Sequence, residues 1–384
     1  MSRIMEQEIT PPPTKRRRLS PPITVDSPTL ALDIPRRNKG TIRIFAWNIN
    51  GIAPFLQPSI TKFFHRTRSS SVASSHSSSS LASAPSSQAS LRGFLRRHQW
   101  PQILLLQEVK INPQDTRSQK AVLTAINTPC DSNDDGPAYT VHFTLPRDRH
   151  NARAFGGKVY GIASIMRRDF SDSAVETVRE VDWDLEGRVH CIELRQQLAV
   201  FNVYAVNGTD NPYRSPVTGA VAGTRHDRKL AFHRLLVEEC KRYEARGWKV
   251  VLAGDFNVAR SVIDGWPNLR TYPEQHVRNR ADFNAKFFED EDGLRAVDVW
   301  RALKGRERRY TYFPRGRPWG SSCDRVDFAV VSRKLFDEGV VVDSGILDSA
   351  EERGPSDHVP LWVELKSEEI YENKPEERQN GRTN

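Results

Sequence analysis

Two polar residues that could bind a metal ion or activate water follow one of the most apolar stretches of the chain. Asp255 and Asn257 come directly after the apolar run 250–253 and Gly254. Such a run predicts a buried strand. Because residues two apart project to the same face of an extended backbone, this carboxylate and amide should point together. Oxygen ligands of this kind suit a hard cation, although an ordinary strand-to-turn boundary also explains the pair.

Similar polar side chains stand beside other apolar runs. Glu108 follows the run 103–106, Tyr204 closes the predicted strand 198–204, and Asp327 opens another. Each residue alone could belong to a turn or a solvated rim. Six segments together carry such side chains at strand ends or adjoining turns: Asn48, Asn50, Glu108, Tyr204, Asn207, Asp255, Asn257, Asp327, Asp357 and His358. Strand-end loops of layered folds can converge, so we expect one cleft.

The chemistry of this set suits a metal-dependent reaction on phosphate. Oxygen ligands with no thiolate and a single obvious histidine favour magnesium or manganese over zinc. The net charge of +9 and the pI of about 9.4 favour a polyanionic partner, either nucleic acid or an anionic membrane surface. In phosphodiester hydrolysis a metal neutralises phosphate charge, a carboxylate activates water, and amide or imidazole groups hold the phosphate oxygens.

Composition excludes several other classes of protein. The four cysteines are widely spaced and include no CxxC pair, which argues against a disulfide framework or a zinc site and fits a reducing compartment. No stretch approaches the roughly 20 apolar residues of a membrane span. The first ten residues lack an apolar signal core, so we do not expect secretion.

The N-terminal residues 1–40 are predicted to be a disordered tail. They contain seven prolines and almost no periodic apolar pattern. Within them, Lys15-Arg16-Arg17-Arg18 is a short basic cluster. Such a cluster can be a nuclear import signal or a non-specific nucleic-acid contact. A solvated charge run explains it equally well.

The remaining chain predicts one folded domain over residues 41–366. Residues 69–90 contain 13 serines and no Lys, Arg, Asp or Glu, which indicates a flexible low-complexity insert at about 66–92. This insert interrupts a helical region rather than separating two domains. The polar residues 367–384 predict a second disordered tail.

Other segments have weaker or mixed patterns. We expect a long loop at 208–224, irregular backbone at 259–280 and a short helix at 282–289. Residues 306–323 interleave arginines and aromatics, which suits contact with phosphates and bases, or aromatics that anchor a loop to the core. The clearest helix spans 225–246, with an apolar stripe of Phe232, Leu235, Leu236, Cys240 and Tyr243.

The motifs resemble those of exonuclease III-like class II apurinic/apyrimidinic endonucleases, in the endonuclease/exonuclease/phosphatase superfamily. The resemblance covers residues 41–366 apart from the insert, in the family's order. It implies a deoxyribonuclease I-like α/β fold, a four-layered sandwich with two packed mixed β-sheets flanked by helices. The matching stretches are WNINGI (47–52), LLLQEVK (104–110), YGIAS (160–164), EGRVHCIEL (186–194), FNVYAVN (201–207), VLAGDFNVA (251–259), DRVDFAVVS (324–332) and PSDHVPLWVEL (355–365).

The resemblance also implies residue roles. Glu108 is the main metal ligand, Asp255 activates water, and Asp327 orients His358 and keeps it charged. The implied metal set is Asn48, Asn50, Glu108, Asp255, Asn257, Asp357 and His358. The implied catalytic set is Tyr204, Asp255, Asn257, Asp327 and His358. The implied substrate-binding set is Asn207, Arg188 and Trp319.

Two positions depart from the family pattern. The family commonly has Tyr-x-Pro-Asn where this chain has Tyr204-Ala205-Val206-Asn207. A Trp that helps to form the pocket for the base-free sugar commonly precedes the Arg-x-Asp of the late strand, and here that residue is Asp324. Trp319 is the candidate replacement. The segment 265–295 aligns poorly with the family.

The leading hypothesis is a magnesium- or manganese-dependent DNA repair phosphodiesterase. It would cut duplex DNA 5′ to abasic sites, with 3′-5′ exonuclease or 3′-phosphodiesterase activity in addition. One alternative keeps the chemistry but takes RNA or end adducts as substrate, and another is a non-catalytic nucleic-acid-binding module. We expect a monomer without membrane attachment, located in the nucleus or in both nucleus and mitochondrion.

Overall fold

The structure is a computed structural model that describes residues 40–56, 89–152 and 160–367. Nearly all of both predicted tails, including the basic cluster at 15–18, and most of the serine-rich insert lie outside these residues. The domain boundaries therefore stay a prediction. Among the described residues, no helix has the length and apolar character needed to cross a membrane.

The described chain combines strands and α-helices. The strands are β1 (Thr41–Asn48), β2 (Ile103–Gln107), β3 (Tyr139–Thr144), β4 (Ile162–Arg167), β5 (Val175–Glu180), β6 (Val189–Leu194), β7 (Leu198–Tyr204), β8 (Pro212–Arg214), β9 (Val221–Thr224), β10 (Lys249–Asp255), β11 (Gly265–Trp266), β12 (Val297–Asp298), β13 (Cys323–Asp324), β14 (Asp327–Val331), β15 (Val341–Ile346) and β16 (Leu361–Lys366). The helices are α1 (Leu91–Arg97), α2 (Thr116–Asn127), α3 (Arg168–Ala174), α4 (Arg225–Glu244), α5 (Glu274–Asn284), α6 (Val299–Lys304), α7 (Arg333–Asp337) and α8 (Ala350–Arg353).

Two large sheets form the framework, and each combines parallel and antiparallel pairs. Sheet I has the strand order β15-β16-β1-β2-β4-β3, with β1 and β2 parallel. Sheet II has the order β12-β14-β10-β7-β6-β5, with β7 and β10 parallel. The predicted fold class, an α/β sandwich of two packed mixed sheets flanked by helices, is confirmed.

The inner faces of the two sheets share one apolar core. Alternate residues of β1 and β2, such as Ile44 and Leu105, meet alternate residues of β7 and β10, such as Val200 and Val251. The opposite face of sheet I is also covered, because the ring of Phe94 in α1 stacks on Trp47 at 5.2 Å. Burial on both faces explains why β2, β7 and β10 read as nearly continuous apolar runs.

Helix α4 covers the outer face of sheet II. Its predicted stripe residues Phe232, Leu236 and Cys240 are buried against that sheet. The helix begins with a capping box in which Thr224 and Asp227 satisfy each other's backbone donors. Only four residues connect this helix to β10. The packed helix therefore fixes where β10 begins and, through the length of the strand, where it ends.

Two predictions of local structure are wrong. The expected loop 208–224 contains the short hairpin formed by β8 and β9. The expected irregular segment 259–280 contains the start of α5 at Glu274, and the expected helix at 282–289 is present as the end of α5 and the π-helix Ala285–Glu289. Only Asn279 and Phe283 of α5 are buried, so the sequence carries no apolar stripe from which the helix could be recognised.

Strand register brings the polar strand ends to one edge. Asp255 at the end of β10 lies opposite Tyr204 in the parallel β7 and opposite Asp327 in the antiparallel β14. In sheet I, Asn48 lies opposite Gln107, the residue before Glu108. Parallel strands end at one edge, and their antiparallel neighbours begin there, so side chains from both sheets meet above the core.

Candidate active site

Asn48 joins the two sheets at this edge. Its Nδ2 donates hydrogen bonds to Oδ2 of Asp255 at 2.9 Å and to Oε2 of Glu108 at 3.2 Å. Asn48 and Asp255 are buried. One amide therefore holds a carboxylate from each sheet, and it fixes their separation.

A second amide extends this arrangement towards the solvent. Asn50 donates from Nδ2 to Oδ1 of Asp357 at 2.9 Å and from its backbone N–H to Oδ1 of Asn48 at 3.0 Å. The ammonium of Lys110 contacts Oδ1 of Asn50 and lies 2.9 Å from Oε1 of Glu108. A cationic group thus already sits among these oxygen atoms.

Several site residues adopt unfavourable backbone conformations. Glu108, Asn50 and Asn257 have positive φ angles of 57°, 50° and 54°. Asparagine tolerates this region, but glutamate rarely occupies it, and such strain of about 1–3 kcal/mol concentrates at functional sites. Gly254 has φ of +142°, and a Cβ atom there would lie 2.0 Å from the backbone oxygen of Val203. The glycine is therefore required by the close approach of β7.

The turn after β10 wraps around the carboxylate of Asp255. Asn257 donates to it twice, from the backbone N–H to Oδ1 at 2.8 Å and from Nδ2 to Oδ2 at 3.2 Å. The buried ammonium of Lys229 in α4 supports this turn by donating to the backbone oxygen of Asn257 at 2.8 Å. Burial lowers the pKa of Lys229 to about 7, although the charge of Asp255 opposes that shift.

His358 and Asp327 form a buried pair beside Asp255. Nδ1 of His358 lies 2.7 Å from Oδ2 of Asp327. The histidine backbone is also fixed, because Trp47 donates from Nε1 to its carbonyl at 2.9 Å, and its N–H donates to Ser356 Oγ at 3.0 Å. Burial raises the pKa of Asp255, as does the charge of Asp327, while His358 opposes the increase. Such a carboxylate is a suitable general base.

The donor set fits a hard divalent cation. One ligand atom each from Asp255, Asp327 and His358 lies within 4.8 Å of the others. Within the described ranges, Oδ1 of Asp327 is buried without a hydrogen-bond partner. The carboxylate of Glu108 is half-buried and already attracts the ammonium of Lys110. Carboxylate and amide oxygens without a thiolate match magnesium or manganese better than a thiol-seeking metal.

Arg188 lines the cleft but is almost completely buried beside Tyr204. Its guanidinium is only 2% exposed and lies between the rings of Tyr160 and Tyr204, 4.5 Å and 4.7 Å from their centroids. Its Nε donates to Oε2 of Glu186 at 2.9 Å. Because its charge is balanced by Glu186, the contacts of Arg188 in the structure serve to position Tyr204. Its predicted contact with substrate stays a prediction.

A cleft of about 530 Å³ opens above these residues. Its lining includes most of the residues that the sequence predicts for the site: Asn48, Glu108, Arg188, Tyr204, Asn207, Asp255, Asn257, Asp357 and His358. Asn50 and Asp327 do not line the cleft, but each hydrogen-bonds to a residue that does. Asn207 is exposed there.

Trp319 does not line the cleft, contrary to the sequence-based expectation. Its ring stacks on Phe313 with centroids 3.8 Å apart, and the guanidinium of Arg353 covers it at 5.1 Å. The side chain is 41% exposed. Since these contacts occupy the ring, Trp319 does not replace the family's tryptophan in the sugar pocket.

The lining also contains residues that were not predicted as site residues, among them Arg270, Arg280, Tyr312 and Asp324. Asp324 was recognised only as a departure from the family pattern. Tyr312 belongs to the basic and aromatic segment 306–323, whose composition favoured nucleic-acid contact. Arg270 and Arg280 lie in the segment that aligns poorly, where no sequence pattern marked them.

The sequence matches a known family over most of its length. A profile of the Endonuclease/Exonuclease/phosphatase family matches residues 45–358. Among curated proteins, no sequence gives a significant match.

Solved structures share the fold. The catalytic domain of Xenopus laevis APE2 aligns with a TM-score of 0.54 and 18% identity, over 85% of this chain and 92% of that one. An AP endonuclease from Archaeoglobus fulgidus aligns with a TM-score of 0.51 and 19% identity, over 84% of this chain and 98% of that one. A single-residue variant of the 3′ phosphatase NExo from Neisseria, bound to a product DNA hairpin, aligns with a TM-score of 0.51 and 18% identity, over 84% of this chain and 99% of that one. At such identities the likeness shows the fold alone.

Proposed function

We propose that this chain, which belongs to the endonuclease/exonuclease/phosphatase family, is a divalent-metal-dependent phosphodiesterase that acts on DNA. The observation that carries the proposal is the placement of Asp255 within hydrogen-bonding distance of Asn48, which also holds Glu108. This arrangement combines a candidate metal ligand with a candidate base in one cleft. The basic net charge supports an anionic polymer as substrate.

Each residue has a distinct part in the proposed reaction. A bound Mg²⁺ or Mn²⁺ would neutralise phosphate charge, held by Glu108 with Asn48, Asn50 and Asp357. Asp255 would accept a proton from the attacking water, with its carboxylate oriented by Asn48 and Asn257. The imidazolium of His358 and the amide of Asn257 would donate hydrogen bonds to the phosphate oxygens. Tyr204 and Asn207, which also line the cleft, would contact the same phosphate.

The first candidate substrate is duplex DNA with an abasic site, cut on its 5′ side. The resemblance of the motifs to class II apurinic/apyrimidinic endonucleases supports it. The test is incubation of an abasic duplex with Mg²⁺ and either wild-type protein or Glu108→Ala. Cleavage by the wild type alone supports the assignment, and equal cleavage by both proteins contradicts it.

A second candidate activity is removal of 3′-terminal nucleotides or 3′ phosphates. Asp324 favours it, because a carboxylate stands in the cleft where the family resemblance expects the tryptophan of the sugar pocket. A panel of 3′-recessed DNA, 3′-phosphate DNA and RNA would rank these activities. A strong preference for RNA would overturn the proposal of DNA as substrate. Tight DNA binding without turnover in Mg²⁺ or Mn²⁺ would instead indicate a non-catalytic binding module.

We further propose that the protein is a nuclear monomer, with mitochondrial residence as an additional location. The basic cluster at residues 15–18 supports nuclear import. Replacing its four residues by alanine in a fluorescent fusion should abolish nuclear accumulation. Unchanged nuclear accumulation would contradict the role of the cluster. Light scattering during gel filtration tests the monomeric state.

A further inference from the structure

We propose that the end of the cleft beside His358 binds the base of an intact nucleotide, through a subsite formed by Tyr312, Asp324, Arg270 and Arg280. This inference rests on the proposed phosphodiesterase function, because it assigns the substrate class of that same cleft. The ligand is a nucleotide whose base carries amino or imino N–H donors. An abasic sugar lacks those donors.

Tyr312 connects this subsite to the reacting centre. Its backbone forms isolated bridges to both Asp324 and His358, and its N–H donates to the backbone oxygen of Asp324 at 2.8 Å. The ring of Tyr312 lies 5.0 Å from the ring of His358. It is half-buried at the cleft wall. A base attached to the nucleotide held at His358 can therefore stack on this ring.

Asp324 is the unusual member of the subsite. Its half-buried carboxylate lines the cleft, and within the described part of the chain it makes neither an ion pair nor a side-chain hydrogen bond. Burial raises its pKa, whereas the charges of Arg270 and Arg280 lower it. An ionised carboxylate accepts hydrogen bonds and repels phosphate, so its ligand must bring donors. The exposed edges of guanine, cytosine and adenine bring N–H donors.

The two arginines offset the repulsion between Asp324 and the DNA backbone. Arg280 is held in place because its Nε donates to the backbone oxygen of Ala259 at 2.8 Å. Neither Arg270 nor Arg280 forms an ion pair with another described residue, and both line the cleft. Their charges are thus available to phosphate, while Asp324 is available to the base.

Aromatic side chains continue the surface beyond this subsite. Trp266 in β11 pairs with Cys323, next to Asp324, and is 44% exposed. Tyr272, two residues after Arg270, is 85% exposed. Exposed rings interleaved with arginines are the features that hold unpaired bases.

The test compares hydrolysis of three oligonucleotides that differ only in the 3′-terminal residue. That residue is a nucleotide with guanine, a natural abasic sugar, or a tetrahydrofuran that lacks both the base and the C1′ hydroxyl. The wild type should remove the guanine nucleotide about 10-fold faster than either base-free residue, since a charged hydrogen bond is lost without the base. Faster removal of either base-free residue would overturn the proposal.

Three variants separate recognition from general damage. Asp324→Leu keeps the branching at Cγ but removes the acceptors, so it should lose about 10-fold on the guanine substrate and change little on tetrahydrofuran. The rate of Asp324→Asn on the guanine substrate should lie between the rates of Asp324→Leu and the wild type. Asp337→Asn, at an exposed carboxylate of α7, should match the wild type. Equal losses on all three substrates would overturn the proposal.

Binding without metal makes the outcome independent of turnover. Fluorescence anisotropy with the same oligonucleotides should show the guanine preference in wild type and its loss in Asp324→Leu. If no substrate is hydrolysed with Mg²⁺ or Mn²⁺ but this preference persists, the proposed function fails and the subsite stands. The natural abasic residue could instead bind best and lose that preference in Asp324→Leu. In that case Asp324 recognises the C1′ hydroxyl of the sugar, and the subsite proposal fails.

Discussion

Nδ1 of His358 lies 2.7 Å from Oδ2 of Asp327, with both side chains buried where the two sheets meet. Burial alone would lower the pKa of His358. The charge and the hydrogen bond of Asp327 outweigh that effect and raise the pKa to about 10. The imidazole is therefore charged throughout the neutral range, which suits a donor to phosphate oxygens.

Asp327→Asn should lower the pKa of His358, because the negative charge beside the imidazole is removed. Cleavage by the variant should then decline at a lower pH than cleavage by the wild type. A pH–rate profile, together with an NMR titration of His358, measures both effects. Superimposable profiles would contradict the proposed role of Asp327.

The same pair predicts how the stability of the metal-free protein depends on pH. The pKa of His358 is higher in the folded protein than in the unfolded chain, where it is about 6.5. The pair therefore contributes fully to the free energy of unfolding below about pH 6.5. That contribution is lost as pH rises towards about 10. The stability difference between wild type and Asp327→Asn should therefore shrink over this interval. Asp337→Asn, an exposed control, should show no such trend.

Glu186→Gln should destabilise the protein at neutral pH. Burial would raise the pKa of Glu186, but Arg188 and Arg225 outweigh it and lower the pKa to about 2. Removing one partner from such a buried network costs about 3–5 kcal/mol of unfolding free energy. Because the folded pKa is depressed, the cost should be full above pH of about 4.5 and should fall as pH approaches 2.

Urea unfolding at a series of pH values measures this effect. Glu351→Gln, at an exposed position in α8, is a matched control that should leave the free energy of unfolding nearly unchanged. Catalysis should also fall in Glu186→Gln, since Arg188 would lose the partner that holds it under Tyr204. Equal unfolding free energies for wild type and Glu186→Gln at pH 7 would refute the argument.

Glu108→Gln should weaken divalent metal binding. The substitution keeps the shape of the side chain but removes the charge that attracts the cation, so metal affinity should fall by about 10- to 100-fold or more. The melting temperature of the wild type should rise on addition of Mn²⁺ or Mg²⁺, and that of the variant should rise much less. An identical metal-induced rise in both proteins would exclude Glu108 as a principal ligand.

The central features of the site follow from apolar runs that end in polar residues. Strands β2, β7 and β10 are buried on both faces, so their sequences are continuous enough to locate the ends that carry Glu108, Tyr204 and Asp255. The distance between those ends depends on strand register. No local pattern encodes this register. The expectation that these strand ends meet in one site came from the family motifs and their order.

Other features depend on contacts between distant segments and could not be predicted. The sequence does not reveal that Trp319 stacks on Phe313, because several aromatics in that segment compete for the same surface. The Glu186–Arg188 pair is local, but its burial depends on Arg225 and Arg228 from α4. Edge strands such as β3 and β15 mix buried and half-buried residues without regular alternation, so their sequences do not reveal them.

The most direct test of the central claim is the rate of DNA cleavage by Asp255→Asn. We expect a loss of about 100- to 10,000-fold, which is the contribution of a general base. Folding and DNA binding should remain, because a neutral amide of the same shape replaces a buried carboxylate. Cleavage by a folded, DNA-binding Asp255→Asn protein at the wild-type rate would contradict the assignment of Asp255 as the base that activates water.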